Sequence, residues 1–448
     1  MRHRLASLHI ARLQAALQRL LWPTIPTGLS QRDKLITIFG GFLVIVGLLQ
    51  YIYNYRSLAT IPGDFSQDYY AAWMLRTERS IYTKVSQADL AATGSTVDAT
   101  LLVSNYHPPF DAVMFIPLTF LSYKMATTLW SMLSLGLYLL IGVVLVRECN
   151  LKLTDPWRIV LLGSALCWPP FQGHIAVGQL SLLLTAMIVV GWMLLRHQYN
   201  VLAGVCFGIA SLIKLFPGLL LLYLLLARRW HSLGAMIVTI GLGTVFTLAF
   251  VGLPDMLHYI NYVAPHDVLL FGPYPTNVSI NGTFGRLLIN GGWVTPIVTA
   301  PQLASILTLI SNAALLLLLM QMLWVRKPSQ PKMDTAFAFT CVAMLLISPI
   351  SWEHAFPLLA LPLGLLLRDH QVLRVPGQTS MLLGIFILIS WPLFQTARIL
   401  LSWYAPDRVP WYAALPLSAS TLGMLLLAWL LVKRSRADVD KAVLPTSC

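Results

Sequence analysis

The sequence predicts an all-α polytopic membrane protein, and three observations carry that prediction. Of the 448 residues, 57% are hydrophobic and only 10% are charged, against about 25% charged in soluble domains. Mean hydropathy is +0.73, which excludes an ordinary soluble globule. The apolar residues gather in runs of roughly 17 to 25, the length that crosses a hydrocarbon core as a helix.

The net charge of +13 raises the question of nucleic acid. Basic residues beside apolar runs follow instead the bias of cytoplasmic loops, so the expected partner is a lipid bilayer and no nucleic acid. Five cysteines, Cys149, Cys167, Cys206, Cys341 and Cys448, form no CxxC pair, so neither a metal knot nor a disulfide framework is indicated.

Taken in order, residues 1–34 form a cytoplasmic basic amphipathic segment. Between Arg2 and Trp22, Leu5, Leu8, Leu13, Ala16, Leu17 and Leu20 recur at helical spacing with Arg12 and Arg19 between them, the pattern of a helix lying on a membrane. Leu35 to Tyr53 is the first crossing, and Arg32 and Lys34 before it place the N-terminus inside. Residues 54–124 then lie outside. Within them Asp111 to Ser122 is apolar but too short to cross, and reads as a helix lying along or dipping into the outer face.

Met125 to Val146 returns to Arg147. Arg158 and Arg196 bracket two apolar arms joined at Trp168 to His174 and Gly178-Gln179. Arg196 and Arg228-Arg229 bracket two shorter arms, with Lys214 and Pro217 between them. Ser232 to Gly252 leads into a second outside loop, residues 253–296, and Ile297 to Val325 leads back to Arg326-Lys327. Asp334 to Leu367 forms a hairpin tipped by Ser348 to His354, and a last pair, about Ser380 to Phe394 and Trp411 to Val432, ends in a cytoplasmic tail, 433–448. The expectation is about 12 transmembrane helices within residues 35–432 and both termini inside. Most of the 30 Lys and Arg then face the cytoplasm, whereas counting Asp111 to Ser122 as a crossing would invert the bias.

This arrangement gathers Asp64, Asp68, His107, His174, Gln179, Lys214, Asn277, Asn281, Arg286, Glu353 and His354 at one face. Ionisable side chains at membrane depth are costly and mark function or paired structure. Acids, bases and neutral hydrogen-bonders together suit a site that deprotonates a hydroxyl while stabilising an anionic leaving group. Each residue also has a plainer reading. Asp64 caps a helix starting at Ser66 with Asp68 in its first turn, His107 and His174 are loop residues, Arg286 anchors its loop against headgroups, and Lys214 belongs to a buried ion pair. The sequons Asn277-Val278-Ser279 and Asn281-Gly282-Thr283 fit an outward loop, but turn chemistry explains them as well and no glycosylation is expected.

Several of these residues stand in a familiar order. Asp64-Phe65, Tyr69-Tyr70-Ala71-Ala72, Tyr106-His107-Pro108-Pro109-Phe110, Pro117-Leu118 and Trp130 are followed by Gly178-Gln179, Ala203-Gly204, Ile213 to Pro217, Asn277-Val278-Ser279 and Ser348-Pro349-Ile350-Ser351-Trp352. From about Asp64 to about Leu367 the chain resembles glycosyltransferase family 87, C-type membrane glycosyltransferases typified by polyprenol-phosphate-mannose-dependent α-mannosyltransferases.

The resemblance implies a C-type glycosyltransferase fold in a bacterial cytoplasmic (inner) membrane with an extracytoplasmic site, serving cell-envelope glycans. It implies an inverting transfer of mannose or another hexose from a polyprenyl-phosphate donor to a hydroxyl of a glycan or glycolipid acceptor. Asp64 falls at the catalytic base. Lys214, His354 and Arg286 are assigned to the donor phosphate, and Asp68, Tyr69, Tyr70, His107, Gln179, Asn277, Asn281 and Trp352 to substrate. No metal and no cofactor are expected.

The chain departs from the family pattern at three positions. Asp68 stands where a tyrosine is common, His107 replaces the usual tyrosine before Pro-Pro, and Ala355 replaces the second histidine of a His-His pair. A reading from another class, a transporter or flippase of lipid-linked saccharides, calls for inverted repeats and broken helices with polar groups near the midplane. The short hairpins here crowd their polar tips to one side instead.

Overall fold

The computed structural model describes residues 30–98, 100, 102, 105–324, 328–373, 377–404 and 409–443. The amphipathic segment from Arg2 to Trp22, the charges Arg326 and Lys327, and the end of the tail lie outside the described residues. Among the described residues the regular structure is helical, without strands.

Helix α1, Gln31–Thr60, is N-capped by Ser30, whose hydroxyl accepts the Asp33 amide at 3.1 Å, and it ends at Ile61 ahead of Pro62. Helix α2, Asp64–Arg76, a seven-residue helix, Gln87–Thr93, and the short α3, Pro109–Phe115, which runs on into a 3₁₀ turn, Ile116–Phe120, follow before the next long helix. Then come α4, Tyr123–Glu148; α5, Asp155–Leu166; α6, Pro169–Val177; α7, Ser181–Arg196; and α8, Asn200–Ile213. After a 3₁₀ turn, Phe216–Gly218, follow α9, Leu219–Leu226, and α10, Trp230–Val251. The stretch 253–296 is largely helical, Leu253–His258 joining Ala264–Phe271 through a π turn, Tyr259–Val263, before Ile280–Leu288. The chain closes with α11, Pro301–Leu323; α12, Gln330–Ile347; α13, Ala360–Leu373; two helices, Gln378–Ile389 and Leu393–Trp403; and α14, Ala419–Val443.

Four helices among the described residues are long and apolar enough to cross a membrane: α1, α4, α10 and α11. Two bent pairs raise this to six, Thr379–Ile389 with Leu393–Trp403 at 53° and Trp411–Leu417 with Ala419–Arg436 at 51°. The last pair expected from sequence thus corresponds to these two bent units, the first broken at Ser390 to Pro392. The other arms are shorter apolar helices, among them α7 and α8. Helix α12 is a core helix rather than a lipid-facing one: every residue from Lys332 to Leu346 is buried, as expected of a helix packed on all sides. By contrast α1 and α10 expose Leu35, Ile38, Phe42, Leu242, Val245 and Phe246, the dress of a lipid contact.

Small residues bring helices together where side chains would hold them apart. A Cβ on Gly47 of α1 would lie 2.5 Å from the Leu166 Cβ, and one on Gly163 of α5 would lie 2.6 Å from the Leu43 Cβ, so α1 and α5 meet backbone to backbone. Gln172 of α6 ties this pair, donating to the carbonyls of Gly47 at 3.1 Å and Leu166 at 2.6 Å.

Helices α4 and α12 run along the body between the same two ends. At one end α1 delivers Asp64, α6 delivers Gln179, α8 delivers Lys214 and α12 delivers the Ser348 to His354 turn. At the other end lie Glu148, Arg196 and Asp334, joined by ion pairs. Helix α7, of 16 residues, runs from the first end to the second over about 24 Å.

Candidate functional site

Helix α2 begins at Asp64 itself, with Gly63 at the N-cap and no side-chain cap bond among the described residues. The helix therefore starts two residues before Ser66, and the Asp64 carboxylate is not its cap. Gly63 is extended, and a Cβ there would lie 2.7 Å from the Val177 carbonyl oxygen. Gly178 ends α6 at φ +69, and a Cβ on it would lie 2.6 Å from the Phe65 Cβ. Glycine tolerates both the left-handed conformation and the close approach, so the turn after α6 lies against the first turn of α2. Trp130 Nε1 pins that turn by donating to the Gly178 carbonyl at 3.0 Å.

The amide of Gln179 consequently reaches Asp64, its Nε2 donating to Oδ2. Gln67, one turn along α2, donates to Asp64 Oδ1 at 3.0 Å. On its far side Gln179 accepts from Lys214 Nζ at 3.0 Å. Lys214 owes its position to the end of α8 at Ile213: it is extended (φ −142°, ψ 146°), just ahead of the turn that contains Pro217. A carboxylate, an amide and an ammonium from three distant stretches of chain thus form one hydrogen-bonded row.

Beside this row His107 Nδ1 lies 2.7 Å from Asp68 Oδ1. Burial favours a neutral His107 ring, but the Asp68 carboxylate outweighs it and raises the imidazole to about 9. Burial raises Asp68, with His107 pulling the other way. Burial, with Asp68 beside it, also raises Asp111 well above the ordinary carboxylate range, and burial raises Asp267 to about 6. One donor atom from each of Asp68, His107 and Asp111 falls within 4.8 Å of the others. Among the described residues, these three are grouped closely enough to hold a metal.

His354 lies in the field of Lys214, and its Nε2 is buried without a hydrogen-bond partner among the described residues. Burial holds its ring well below the usual histidine range, so His354 is neutral, a hydrogen-bond donor or acceptor rather than a cation. His174 is fully buried, with Nε2 3.4 Å from Ser134 Oγ.

The other residues that the sequence assigns to the donor phosphate (Arg286) or to substrate (Asn277, Asn281, Tyr69, Tyr70 and Trp352) bond to or pack against the protein itself. The Arg286 guanidinium is buried and committed to the carbonyls of Tyr274 at 3.1 Å, Asn277 at 2.6 Å and Leu417 at 3.3 Å and to Ser418 Oγ at 3.0 Å. Asn277 is a strut between two loops, donating to the Pro349 carbonyl at 3.0 Å and accepting the Ser351 amide at 3.0 Å. Asn281 also donates to that Pro349 carbonyl. Tyr69 and Tyr70 point into an aromatic core with Phe65 and Tyr123, and their hydroxyls bond the Leu121 carbonyl and Thr93. Trp352 packs edge-on against Phe271 and Tyr274, and Phe271 in turn meets Tyr106, the neighbour of His107.

Gln67, Asp111 and Asp267 are not among the site residues that the sequence predicts. Gln67 carried a signal, its i, i+3 spacing from Asp64 on one helix. Asp111 opens α3 behind a Pro-Pro pair and looks like an ordinary first-turn acid. Asp267 lies on an amphipathic loop helix, and only the fold brings it near His107.

Comparison with known proteins follows the same lines. The family model described as Glycosyltransferase family 87 matches residues 105–349, a stretch that holds His107, Gln179, Lys214 and Asn277, with Asp64 and His354 outside it. The chain is 28% identical over 323 residues, 69% of its length and 68% of the relative's, to a polyprenol-phosphate-mannose-dependent alpha-(1-2)-phosphatidylinositol pentamannoside mannosyltransferase of Mycobacterium tuberculosis. It is 24% identical over 271 residues, 55% of its length and 58% of the relative's, to the corresponding phosphatidylinositol mannoside mannosyltransferase of that organism. It is 26% identical over 254 residues, 55% of its length and 57% of the relative's, to a pentamannoside enzyme of Mycolicibacterium smegmatis. No solved structure matches the chain. With its helical membrane body, its row of acid, amide and ammonium at one end and a family match over more than half its length, the chain belongs to glycosyltransferase family 87 and is a multi-pass membrane glycosyltransferase.

Proposed function

We propose that the protein transfers a mannosyl or related hexosyl group from a polyprenyl-phosphate donor to a hydroxyl of a glycolipid or glycan acceptor, with inversion. The observation that carries this reading is Gln179, which accepts from Lys214 while donating to Asp64. One amide holds a base and a cation at a fixed separation, as a displacement with opposite charge demands at its two ends requires.

In the reaction Asp64 takes the proton of the acceptor hydroxyl as that oxygen attacks the anomeric carbon. The bond from that carbon to the phosphate oxygen breaks, and polyprenyl phosphate leaves with the bonding electrons. Lys214 meets the charge that develops on the phosphate, where a cation stabilises the transition state more than the ground state. His354, neutral and with Nε2 unpartnered among the described residues, donates a hydrogen bond to the same group. The aromatic set of Tyr106, Phe271 and Trp352 offers flat apolar faces for a sugar ring or the first prenyl unit. The relatives, polyprenol-phosphate-mannose-dependent mannosyltransferases, support the donor class.

The test is transfer from labelled polyprenyl-phosphate mannose by purified wild type, Asp64→Asn and Lys214→Ala. Loss of the base is expected to lower turnover about 100- to 10,000-fold, and full turnover by folded Asp64→Asn would remove Asp64 from the chemistry. We also place residues 54–124 and 253–296 outside the inner membrane and residues 1–34 and 433–448 inside. A cysteine at exposed Lys84 should then react with an impermeant maleimide in spheroplasts, and one at exposed Tyr199 only after lysis. The reverse pattern would invert the orientation.

A further inference from the structure

We propose that Asp68, His107 and Asp111 form a binding site for one divalent transition-metal ion, with Mn²⁺ and Zn²⁺ the ions of matching chemistry. Two carboxylates and an imidazole are the donor set these ions take. The three donor atoms lie within 4.8 Å of one another. Ligands about 2.1 Å from an octahedral ion stand about 3 to 4 Å apart, so small side-chain rotations close the set around an ion. In the closed set the ion takes the place of the proton between His107 Nδ1 and Asp68 Oδ1.

A second observation points to a ligand independently of that spacing. Asp111 is 1% exposed and Asp68 0%, yet both carboxylate oxygens of Asp111 and Oδ2 of Asp68 lack a hydrogen-bond partner among the described residues. A buried carboxylate without partners is costly unless a cation or a proton meets it. Lys214, a nearby cation, donates to Gln179, and His107 serves Asp68. Asp111 is aimed into the cluster from the first turn of α3, directly behind Pro108 and Pro109, which fix the backbone there. The ion would clamp this turn to α2 one helical turn beyond Asp64. Asp64 itself is not a ligand, so the proposal stands apart from the glycosyl-transfer reading.

The experiment uses the full chain in nanodiscs, stripped with a chelator and titrated with Mn²⁺. Bound and free ion are counted by electron paramagnetic resonance, and ¹⁴N coupling in the pulsed spectrum reports an imidazole ligand. Wild type is expected to bind one Mn²⁺ per chain with ¹⁴N coupling, Zn²⁺ to displace it, and Asp111→Asn or His107→Gln to weaken binding at least tenfold. The ¹⁴N signal in wild type keeps the test valid if either variant fails to fold. Absence of saturable Mn²⁺ and Zn²⁺ binding in folded wild type, or binding without ¹⁴N coupling that both variants retain, overturns the site and leaves a shared proton between Asp68 and Asp111.

Discussion

Helix α7 separates two charged clusters that differ in how completely they are satisfied. At its C-terminal end Arg196 faces Glu148 at 3.7 Å and Asp334 at 3.5 Å, His197 bonds the other Glu148 oxygen at 3.1 Å, and Trp192 and Gln330 donate to the other Asp334 oxygen at 3.1 and 3.0 Å. Every carboxylate oxygen there has a partner. At its N-terminal end Asp111 has none among the described residues and Asp68 has one oxygen free, while Asp64 is held by two amides. A buried charge with all its bonds made serves the fold. Both clusters mix acids and cations, so charge alone does not separate them; the open carboxylate oxygens of Asp68 and Asp111 do.

The comparison breaks most directly by mutation at both ends. Asp64→Asn should abolish nearly all transfer, about 100-fold or more, with an unchanged thermal midpoint, and enzyme assay beside a melting curve reads both. Asp334→Ala should do the reverse. It leaves Arg196 without one partner in a buried setting, a destabilisation of about 3 kcal/mol, while the specific activity of the surviving folded fraction stays near wild type. If Asp334→Ala cut activity without lowering the midpoint, the assignment of that cluster to the fold would be lost.

Smaller effects sharpen the contrast. Gln179→Leu removes the link between Asp64 and Lys214 but keeps both, so turnover should fall about tenfold, more through kcat than KM. Gly178→Ala puts a methyl group against Phe65 at a positive φ and should destabilise by about 1 kcal/mol or more while lowering activity, because the turn that carries Gln179 must shift. The smallest effect concerns Glu353, which burial raises to about 7, opposed by main-chain amides from Leu393 and Phe394. An acid raised in the folded state favours folding while it is protonated. Its contribution is full below its unfolded value and is lost as pH rises through about 7. Glu353→Gln should therefore flatten the loss of thermal stability between about pH 5 and pH 8, and a slope identical to wild type would discard that role.

Much of the candidate site was legible in the sequence. Lys214 stood out because an ammonium in an apolar stretch is costly, and the ends of the two short arms around it, α8 and α9, are where Arg196 and Arg228-Arg229 bracket them. Asp64 and Gln179 follow from the topology, which gathers polar residues at one face, and from motif order. The same topology gathers Arg286 and Asn277, which bind main-chain carbonyls, because residue type does not reveal which way a side chain turns. Asp111 went unnoticed since a first-turn acid after proline needs no explanation until its surroundings are known.

Hydropathy and charge bias by themselves determined that this is a helical membrane protein, since the cost of exposed backbone and of charge in hydrocarbon acts on each segment locally. Only the tertiary structure decided which arms face lipid and which are wrapped in protein, and that Gly63 and Gly178 bring two turns close enough for Gln179 to bridge Asp64 and Lys214. The Asp64–Gln179 contact joins residues 115 apart in the chain and the Gln179–Lys214 contact residues 35 apart, and contacts of that kind leave no periodic trace in either segment.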